Sequence, residues 1–94
     1  MVGQVYLIQN NRGEYLIRQR TEKGLLHGLW EFPWQEGEKR AGKYTTITHV
    51  FTHIKLTLQI VRGEHPDFDG IWVNPQNFKD YPFSTLMQKV IRKI

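Results

Sequence analysis

The chain contains no cysteine and no long apolar run. Without cysteine, its 94 residues can hold no disulfide, no thiolate zinc site and no all-cysteine iron–sulfur cluster. A helix that spans a bilayer needs about 20 consecutive apolar residues, and neither such a run nor a signal peptide is visible. We therefore expect a cytoplasmic protein with no membrane partner.

Acidic residues are also few. The chain has 9 Asp and Glu residues against 13 Lys and Arg residues, and its net charge is +4. An excess of positive charge favours an anionic partner, most commonly nucleic acid. Many small domains without such a partner carry a similar charge, so charge alone leaves both interpretations open.

Aromatic residues are plentiful by comparison, at 13% of the chain. Each buried ring removes about 150–250 Å² from water, so one small core can form without disulfides. The length predicts a single domain over residues 1–94. Because the first residues already have a strand pattern, we expect a monomeric module that is a fragment of a longer protein.

Alternating and β-branched residues predict six strands. In chain order they are Val2–Gln9, Glu14–Arg20, Leu29–Phe32, Tyr44–Phe51, Lys55–Val61 and Gly70–Val73. The turn residues Asn10–Gly13 predict that the first two strands form a β-hairpin. The alternation is clearest in the fifth strand, where Leu56, Leu58 and Ile60 share one face.

Glycine and mixed charges interrupt this alternation and predict irregular chain. The segments concerned are Thr21–Gly28, Trp34–Lys43, the tight connection Thr52-His53 and Gly63–Asp69. A helical turn is predicted over Asn77–Tyr81. Ser84 is a predicted N-cap for an amphipathic helix over Thr85–Lys93. The apolar face of this helix comprises Leu86, Met87, Val90, Ile91 and Ile94.

The segment Gly24–Pro33, with the sequence Gly-Leu-Leu-His-Gly-Leu-Trp-Glu-Phe-Pro, is similar to the approach to a Nudix hydrolase site. A catalytic helix rich in carboxylates should follow it. Only ten residues, Trp34–Lys43, precede the next strand, whereas three helical turns alone need about 11 residues. The catalytic helix is therefore expected to be shortened or lost, which favours binding over hydrolysis.

Several segments together resemble, in order and spacing, the C-terminal domain of A/G-specific adenine DNA glycosylases, which has a Nudix-like fold without Nudix catalysis. They are Val5–Ile8, Tyr15–Arg20, Gly24–Pro33, His49–Leu56, Ile71–Val73 and Phe83-Ser84. The resemblance covers nearly the whole chain. It implies an α+β fold, with a Nudix-like mixed β-sheet, a C-terminal helix and a shortened or lost catalytic Nudix helix.

The resemblance also implies a role in base excision repair. In the parent glycosylase, a separate N-terminal domain would hydrolyse the N-glycosyl bond of adenine opposite 8-oxoguanine, and that domain would carry the iron–sulfur cluster. The present fragment would have no catalytic residue, metal or cofactor of its own. Its partners would be double-stranded DNA containing 8-oxoguanine and the catalytic domain of the same protein.

The Phe-Ser-His loop of the family, which reaches the oxidised base, matches Phe51-Thr52-His53 here, with Thr in place of the commoner Ser. Oxidation at C8 turns the N7 acceptor of guanine into an N–H donor, and the Thr52 hydroxyl can accept from it. Phe51 is expected to stack or wedge near the base, and His53 to contact a phosphate or hold the loop. The cations expected to neutralise phosphates are Arg18, Arg20 and Lys55.

Simpler structural interpretations of single residues remain open. Phe51 can be a core residue at a strand end, and Arg18 and Arg20 can be a solvated face of the hairpin. His49 and His53 could share a face, but two histidines without an acidic ligand make a weak metal site. Among the large anchors, Trp30 and Trp72 are expected in the core, and Trp34 is expected to be exposed.

Two other functions also remain open. A Nudix pyrophosphohydrolase acting on nucleoside diphosphate derivatives would need magnesium held by clustered carboxylates. The only acids near Pro33 on its C-terminal side are Glu36 and Glu38. A protein-interaction module on the same scaffold is the third possibility.

Overall fold

The computed structural model describes residues 1–24, 26–63 and 67–94. Leu25 and residues 64–66 lie outside the described residues. The loops predicted over Thr21–Gly28 and Gly63–Asp69 are therefore described only in part.

Within these ranges the chain forms seven strands and two short helices. The strands are β1 (Val2–Leu7), β2 (Tyr15–Gln19), β3 (Trp30–Glu31), β4 (Trp34–Glu36), β5 (Thr46–Phe51), β6 (Ile54–Arg62) and β7 (Ile71–Val73). A 3-10 helix follows at Pro75–Asp80, and the α-helix α1 spans Thr85–Ile91. No helix in the described ranges has the length and apolar character needed to cross a membrane.

The strands form two sheets. The larger has the order β4-β1-β6-β5 and is mixed, because β1 runs parallel to β6 while the other pairs are antiparallel. The smaller is antiparallel, with the order β3-β2-β7. This arrangement confirms the predicted α+β class, with a mixed sheet and a C-terminal helix.

The predicted hairpin of the first two strands is wrong except at its tip. The Leu16 N–H donates to the Ile8 carbonyl at 3.0 Å, and Gln9 forms an isolated bridge with Tyr15. Beyond this point the two strands diverge into different sheets. Both faces of β1 are largely buried, so this strand lies inside the larger sheet, between β4 and β6. Alternation identifies a strand but not its partner.

The segment Trp34–Lys43 is not irregular throughout. Its first three residues form β4, which pairs antiparallel with β1 through Val5, Gln4 and Gly3. The edge of β1 offers unpaired backbone groups, and these pair with the neighbouring chain whatever its side chains are. No helix occurs between β4 and β5, where every residue is described.

Two buried glutamines hold the chain that follows β4 against the larger sheet. Gln4 Nε2 donates to the Glu38 carbonyl at 2.9 Å and to Gln59 Oε1 at 3.1 Å. Gln59 Oε1 accepts from the Arg40 N–H at 2.8 Å, and Gln59 Nε2 donates to the Arg40 carbonyl at 3.0 Å. These bonds satisfy backbone groups of Glu38 and Arg40 in the irregular segment after β4.

The main core draws buried side chains from both sheets, the 3-10 helix and α1. Phe32 is fully buried at its centre, and its ring packs against those of Tyr15, Phe78 and Phe83 with centroids 5.5–6.1 Å apart. Ser84 is confirmed as the N-cap of α1, since its Oγ accepts from the Met87 N–H at 3.2 Å. The core therefore joins the two sheets to the C-terminal helix.

Three predictions about individual side chains are corrected. Trp72 is 43% exposed rather than in the core, because its neighbour Val73 takes the buried side of β7 and successive side chains alternate. Trp34 is half-buried rather than exposed, because its indole packs in a polar cluster described below. α1 ends at Ile91 instead of Lys93, and Ile94 is exposed at the frayed end.

Candidate nucleic-acid interface

The connection between β5 and β6 is a two-residue loop. Phe51 pairs with Ile54, which leaves Thr52 and His53 as the exposed tip of the hairpin. Thr52 has φ of +47°, which suits the mirror-image turns of two-residue hairpins but is uncommon for a β-branched residue. The predicted tight connection is confirmed, and the fold holds Thr52 outward in a strained conformation.

We call residues 50–55 the hairpin tip. Besides Thr52 and His53, it exposes two large apolar side chains, since Val50 is 59% exposed and Ile54 is 44% exposed. Lys55 is exposed opposite Val50, on the face of the hairpin that does not carry Phe51 and Ile54. An exposed apolar side chain on each face, with a cation on one of them, suits contact with base faces and phosphates.

Phe51 differs from its neighbours because it is half-buried. Its side chain packs against the main core, so only part of the ring is available to a ligand. This agrees in part with the interpretation of Phe51 as a core residue at a strand end. The exposed partner of Phe51 across the hairpin is Ile54.

Arg18 and Arg20 bind a buried carboxylate. Glu31 is 3% exposed, and it accepts from Arg18 Nε at 2.9 Å and from Arg20 Nη1 at 3.2 Å. Trp34 Nε1 also donates to it at 2.9 Å. We call these four residues the Glu31 cluster. One carboxylate thus balances one of the two guanidinium charges, and burial is compensated by hydrogen bonds from three side chains.

The Glu31 cluster and the hairpin tip are separate. Arg18 Nη2 donates to the Trp34 carbonyl at 3.0 Å, so Arg18 lies at β4. In the larger sheet β4 and β5 are the two opposite edges, about 14 Å apart at 4.8 Å per strand step. The sequence grouped these arginines with Phe51–Lys55, and the fold does not bring them together. Their contact with phosphates stays a prediction.

Sequence reasoning missed the role of His49. Its ring lies edge-on to that of Phe51, with centroids 4.6 Å apart. Burial lowers the pKa of His49 from its ordinary value of 6.5, and the nearby Lys89 ammonium lowers it further. Period-two alternation could have revealed this packing, because Ile47, His49 and Phe51 fall on one face of β5.

The acids after Pro33 do not form a magnesium site. Glu36 ends β4 and Glu38 lies in the irregular chain beyond it, and both are exposed. A magnesium-dependent Nudix site needs several carboxylates that converge on one ion. Across the residues that the structure describes, no group of three or more His, Asp or Glu side chains converges in this way. The donor set therefore does not fit the metal of a Nudix hydrolase.

Curated relatives of this chain are adenine DNA glycosylases. The human enzyme is 32% identical over 110 aligned positions, which cover 84% of this chain and 20% of the human protein. The rat enzyme is 32% identical over 108 positions, covering 82% and 21%. The chain thus spans about a fifth of the length of the curated relatives it matches.

Solved structures share the fold. The MutT protein from Methanosarcina mazei matches with a TM-score of 0.75 at 14% identity, covering 99% of this chain and 91% of that one. The C-terminal domain of mouse MUTYH, solved in complex with human PCNA, matches with a TM-score of 0.65 at 24% identity, covering 97% and 84%. The ORF135 protein of E. coli matches with a TM-score of 0.69 at 18% identity, covering 97% and 85%.

The family model for the NUDIX domain matches residues 4–93, which is nearly the entire chain. The fold agrees with that match, and the resemblance to the C-terminal domain of adenine DNA glycosylases is confirmed by the relatives above. The chain belongs to the NUDIX domain family.

Proposed function

We propose that this domain recognises 8-oxoguanine in duplex DNA as part of an adenine DNA glycosylase that acts in base excision repair. The similarity to adenine DNA glycosylases supports a role in DNA repair. Because the match covers about a fifth of those enzymes, removal of adenine is assigned to another domain of the parent protein. That N-terminal catalytic domain, with its iron–sulfur cluster, is the proposed intramolecular partner.

The observation that carries the proposal is the exposure of Thr52 at a two-residue turn. A hydroxyl can accept a hydrogen bond from the N7–H of 8-oxoguanine, whereas guanine presents a lone pair at N7, to which the same hydroxyl could donate instead. The hydroxyl therefore distinguishes the two bases when its own proton is engaged by another acceptor in the complex. An unsatisfied acceptor at such a contact costs about 1–3 kcal/mol. With its proton so engaged, the Thr52 hydroxyl would favour the oxidised base by about 5–150-fold.

The rest of the hairpin tip supplies contacts that do not depend on oxidation. Ile54 and Val50 can press against sugars and base faces, and Lys55 can neutralise a phosphate. His53, exposed at the turn, can donate to a second phosphate. Arg18 and Arg20 contribute less in this proposal, because Glu31 already neutralises part of their charge.

Chemical-shift mapping with two otherwise identical duplexes, one with 8-oxoguanine and one with guanine, tests the proposal. We expect perturbations over residues 50–55 and tighter binding of the oxidised duplex. Both affinities should fall as salt rises, from a non-specific range of about 10⁻⁴–10⁻⁶ M. Perturbations confined to other surfaces, or equal affinity for both duplexes, would refute the proposed function.

Substitutions at Thr52 give a sharper test. Thr52→Ser keeps the hydroxyl and should keep the preference for 8-oxoguanine, whereas Thr52→Ala should remove most of it. Thr21→Ala is a matched control, since Thr21 is an exposed loop residue far from the hairpin in sequence. A preference that survives in Thr52→Ala would remove this hydroxyl from the site.

Protein interaction is a second candidate function, and one observation favours it. Ile71 and Trp72 are both more than 40% exposed on β7, an edge strand of the smaller sheet. Exposed apolar surface at a strand edge is typical of protein contacts. The catalytic domain of the parent protein is the proposed partner, and Trp72→Ser should weaken its binding to this domain without changing DNA contacts at the hairpin tip.

Nudix hydrolysis ranks below both. A turnover assay with magnesium and oxidised or normal nucleoside triphosphates separates it from binding. It ranks lower because Glu36 and Glu38 are exposed and belong to no group of three or more candidate metal ligands among the described residues. Clear hydrolysis would reverse this ranking.

A further inference from the structure

We propose that His49 is a positioning residue that fixes the ring of Phe51 and, through it, the Thr52 turn that reads the oxidised base. This inference rests on the proposed function. It adds a residue inside the fold whose contribution is to specificity and not to DNA contact.

The contact between the two rings is the first argument. The centroids of His49 and Phe51 lie 4.6 Å apart, with the ring planes inclined by 68°. This is the shortest of the ring pairs in the described residues. Edge-to-face packing at this distance restricts ring orientation. Phe51 directly precedes Thr52, so its side chain anchors one end of the two-residue turn.

The second argument concerns the imidazole nitrogens. His49 Nδ1 is buried and has no hydrogen-bond partner, although buried polar atoms are usually paired. An imidazole without that hydrogen bond is held in place by packing against its neighbours. Its cross-strand partner Leu56 is buried beside it. The position of the His49 ring therefore depends on its packing against Phe51 and its other neighbours.

The C-terminal helix supports the same strand. Lys89 Nζ donates to the Thr48 carbonyl at 2.9 Å, which ties β5 to α1 one residue before His49. On the opposite face of β5, Val50 is largely exposed. Phe51 therefore packs on the core-facing side of β5, and His49 is an aromatic ring that contacts it there.

Variants of His49 in this 94-residue chain test the proposal. His49→Ala removes the ring that contacts Phe51, and His49→Phe restores an aromatic ring without the nitrogens. We expect His49→Ala to shift the Phe51 ring resonances toward those of a freely rotating ring. We also expect its ratio of affinities for 8-oxoguanine and guanine duplexes to fall at least threefold. His49→Phe should restore both the resonances and the ratio.

A purely structural role would weaken binding to both duplexes equally and leave their ratio unchanged. That result, or unaltered Phe51 resonances in His49→Ala, would overturn the inference. Lys89→Gln offers a second route should His49→Ala fold poorly. It removes the hydrogen bond from Lys89 Nζ to the Thr48 carbonyl while keeping both rings. It should lower the ratio below that of the unmodified domain, and an unchanged ratio would count against the inference.

The two proposals can fail separately. If the unmodified domain does not distinguish the duplexes, the proposed function fails, and the inference fails with it as a statement about specificity. The Phe51 resonances then still report whether His49 positions that ring. If the unmodified domain distinguishes the duplexes and His49→Ala does so equally well, the proposed function stands and only the inference is overturned.

Discussion

Replacing Glu31 with Gln hardly changes the volume of the side chain, but it should lower the stability of the fold substantially. The buried Glu31 carboxylate accepts hydrogen bonds from Arg18, Arg20 and Trp34. Glu31→Gln keeps the shape of the side chain but replaces one oxygen with an amide that can only donate. At least one of the three donors would then face another donor, and the charge that balances the two guanidinium groups would be gone.

The magnitude follows from burial. A hydrogen bond to a charged group contributes about 1.5–3 kcal/mol, and removing one partner of a fully buried ion pair costs about 3–5 kcal/mol. The Arg18 and Arg20 side chains are 28% and 25% exposed, so water replaces part of what they lose. We therefore expect the free energy of unfolding to fall by about 2–3 kcal/mol, out of roughly 5–14 kcal/mol for a domain of this size.

Urea unfolding followed by circular dichroism measures this loss. Glu22→Gln is the matched control, since Glu22 is exposed in the loop after β2, and it should change the free energy by less than about 0.5 kcal/mol. The melting temperature of Glu31→Gln should fall by roughly 10–20 °C. An unfolding free energy for Glu31→Gln within about 0.5 kcal/mol of the control would show that the cluster does not hold the two sheets together.

Three further predictions concern other parts of the chain. Thr52→Asn should raise the free energy of unfolding by about 1 kcal/mol in urea titrations, because Asn tolerates positive φ. Thr48→Asn, on the strand that precedes the turn, should not. A destabilised Thr52→Asn would argue against strain at the turn. Phe32→Ala should cost about 3–5 kcal/mol in the same assay, since it opens a cavity among packed rings, and a loss below about 2 kcal/mol would contradict the central place of Phe32. The pKa of His49 in the folded state lies below its ordinary value, so the unfolded state binds more protons as pH falls below about 6.5, and stability is lost in that window. An NMR titration should show this lowered pKa, and Lys89→Gln should raise it only in part, because burial is the larger cause; an unchanged pKa would exclude Lys89 as a contributor.

Several elements could be predicted because their causes are local. The Ser84 cap and the helix after it depend on residues within one or two turns of each other. The turn at Thr52-His53 depends on a two-residue loop between two alternating strands. Even so, α1 ends two residues before the predicted end at Lys93, since the last carbonyl groups of a helix have no N–H partner within the helix.

Strand partners could not be predicted in the same way. β1 pairs with β6, in a register that joins Val2 to Thr57, and no feature near either residue encodes that choice. β4 forms because the edge of β1 offers free backbone groups, although the side chains of Trp34–Glu36 suggested irregular chain. Which strands pair depends on which side chains the whole fold must bury. Those side chains are far apart in the sequence, so a local pattern does not identify the partner.

The candidate site also has a part that the sequence predicted and a part that only the fold revealed. The tight connection at Thr52-His53 follows from hairpin geometry, so the sequence alone was sufficient to predict that turn, and the role of Phe51-Thr52-His53 at the oxidised base stays a prediction. The fold then separated Arg18 and Arg20 from those three residues by binding them to Glu31, and it placed His49 against Phe51. The order of charged residues in the sequence does not show which carboxylate an arginine will bind. That contact depends on how the strands and sheets pack, so only the tertiary structure decides it.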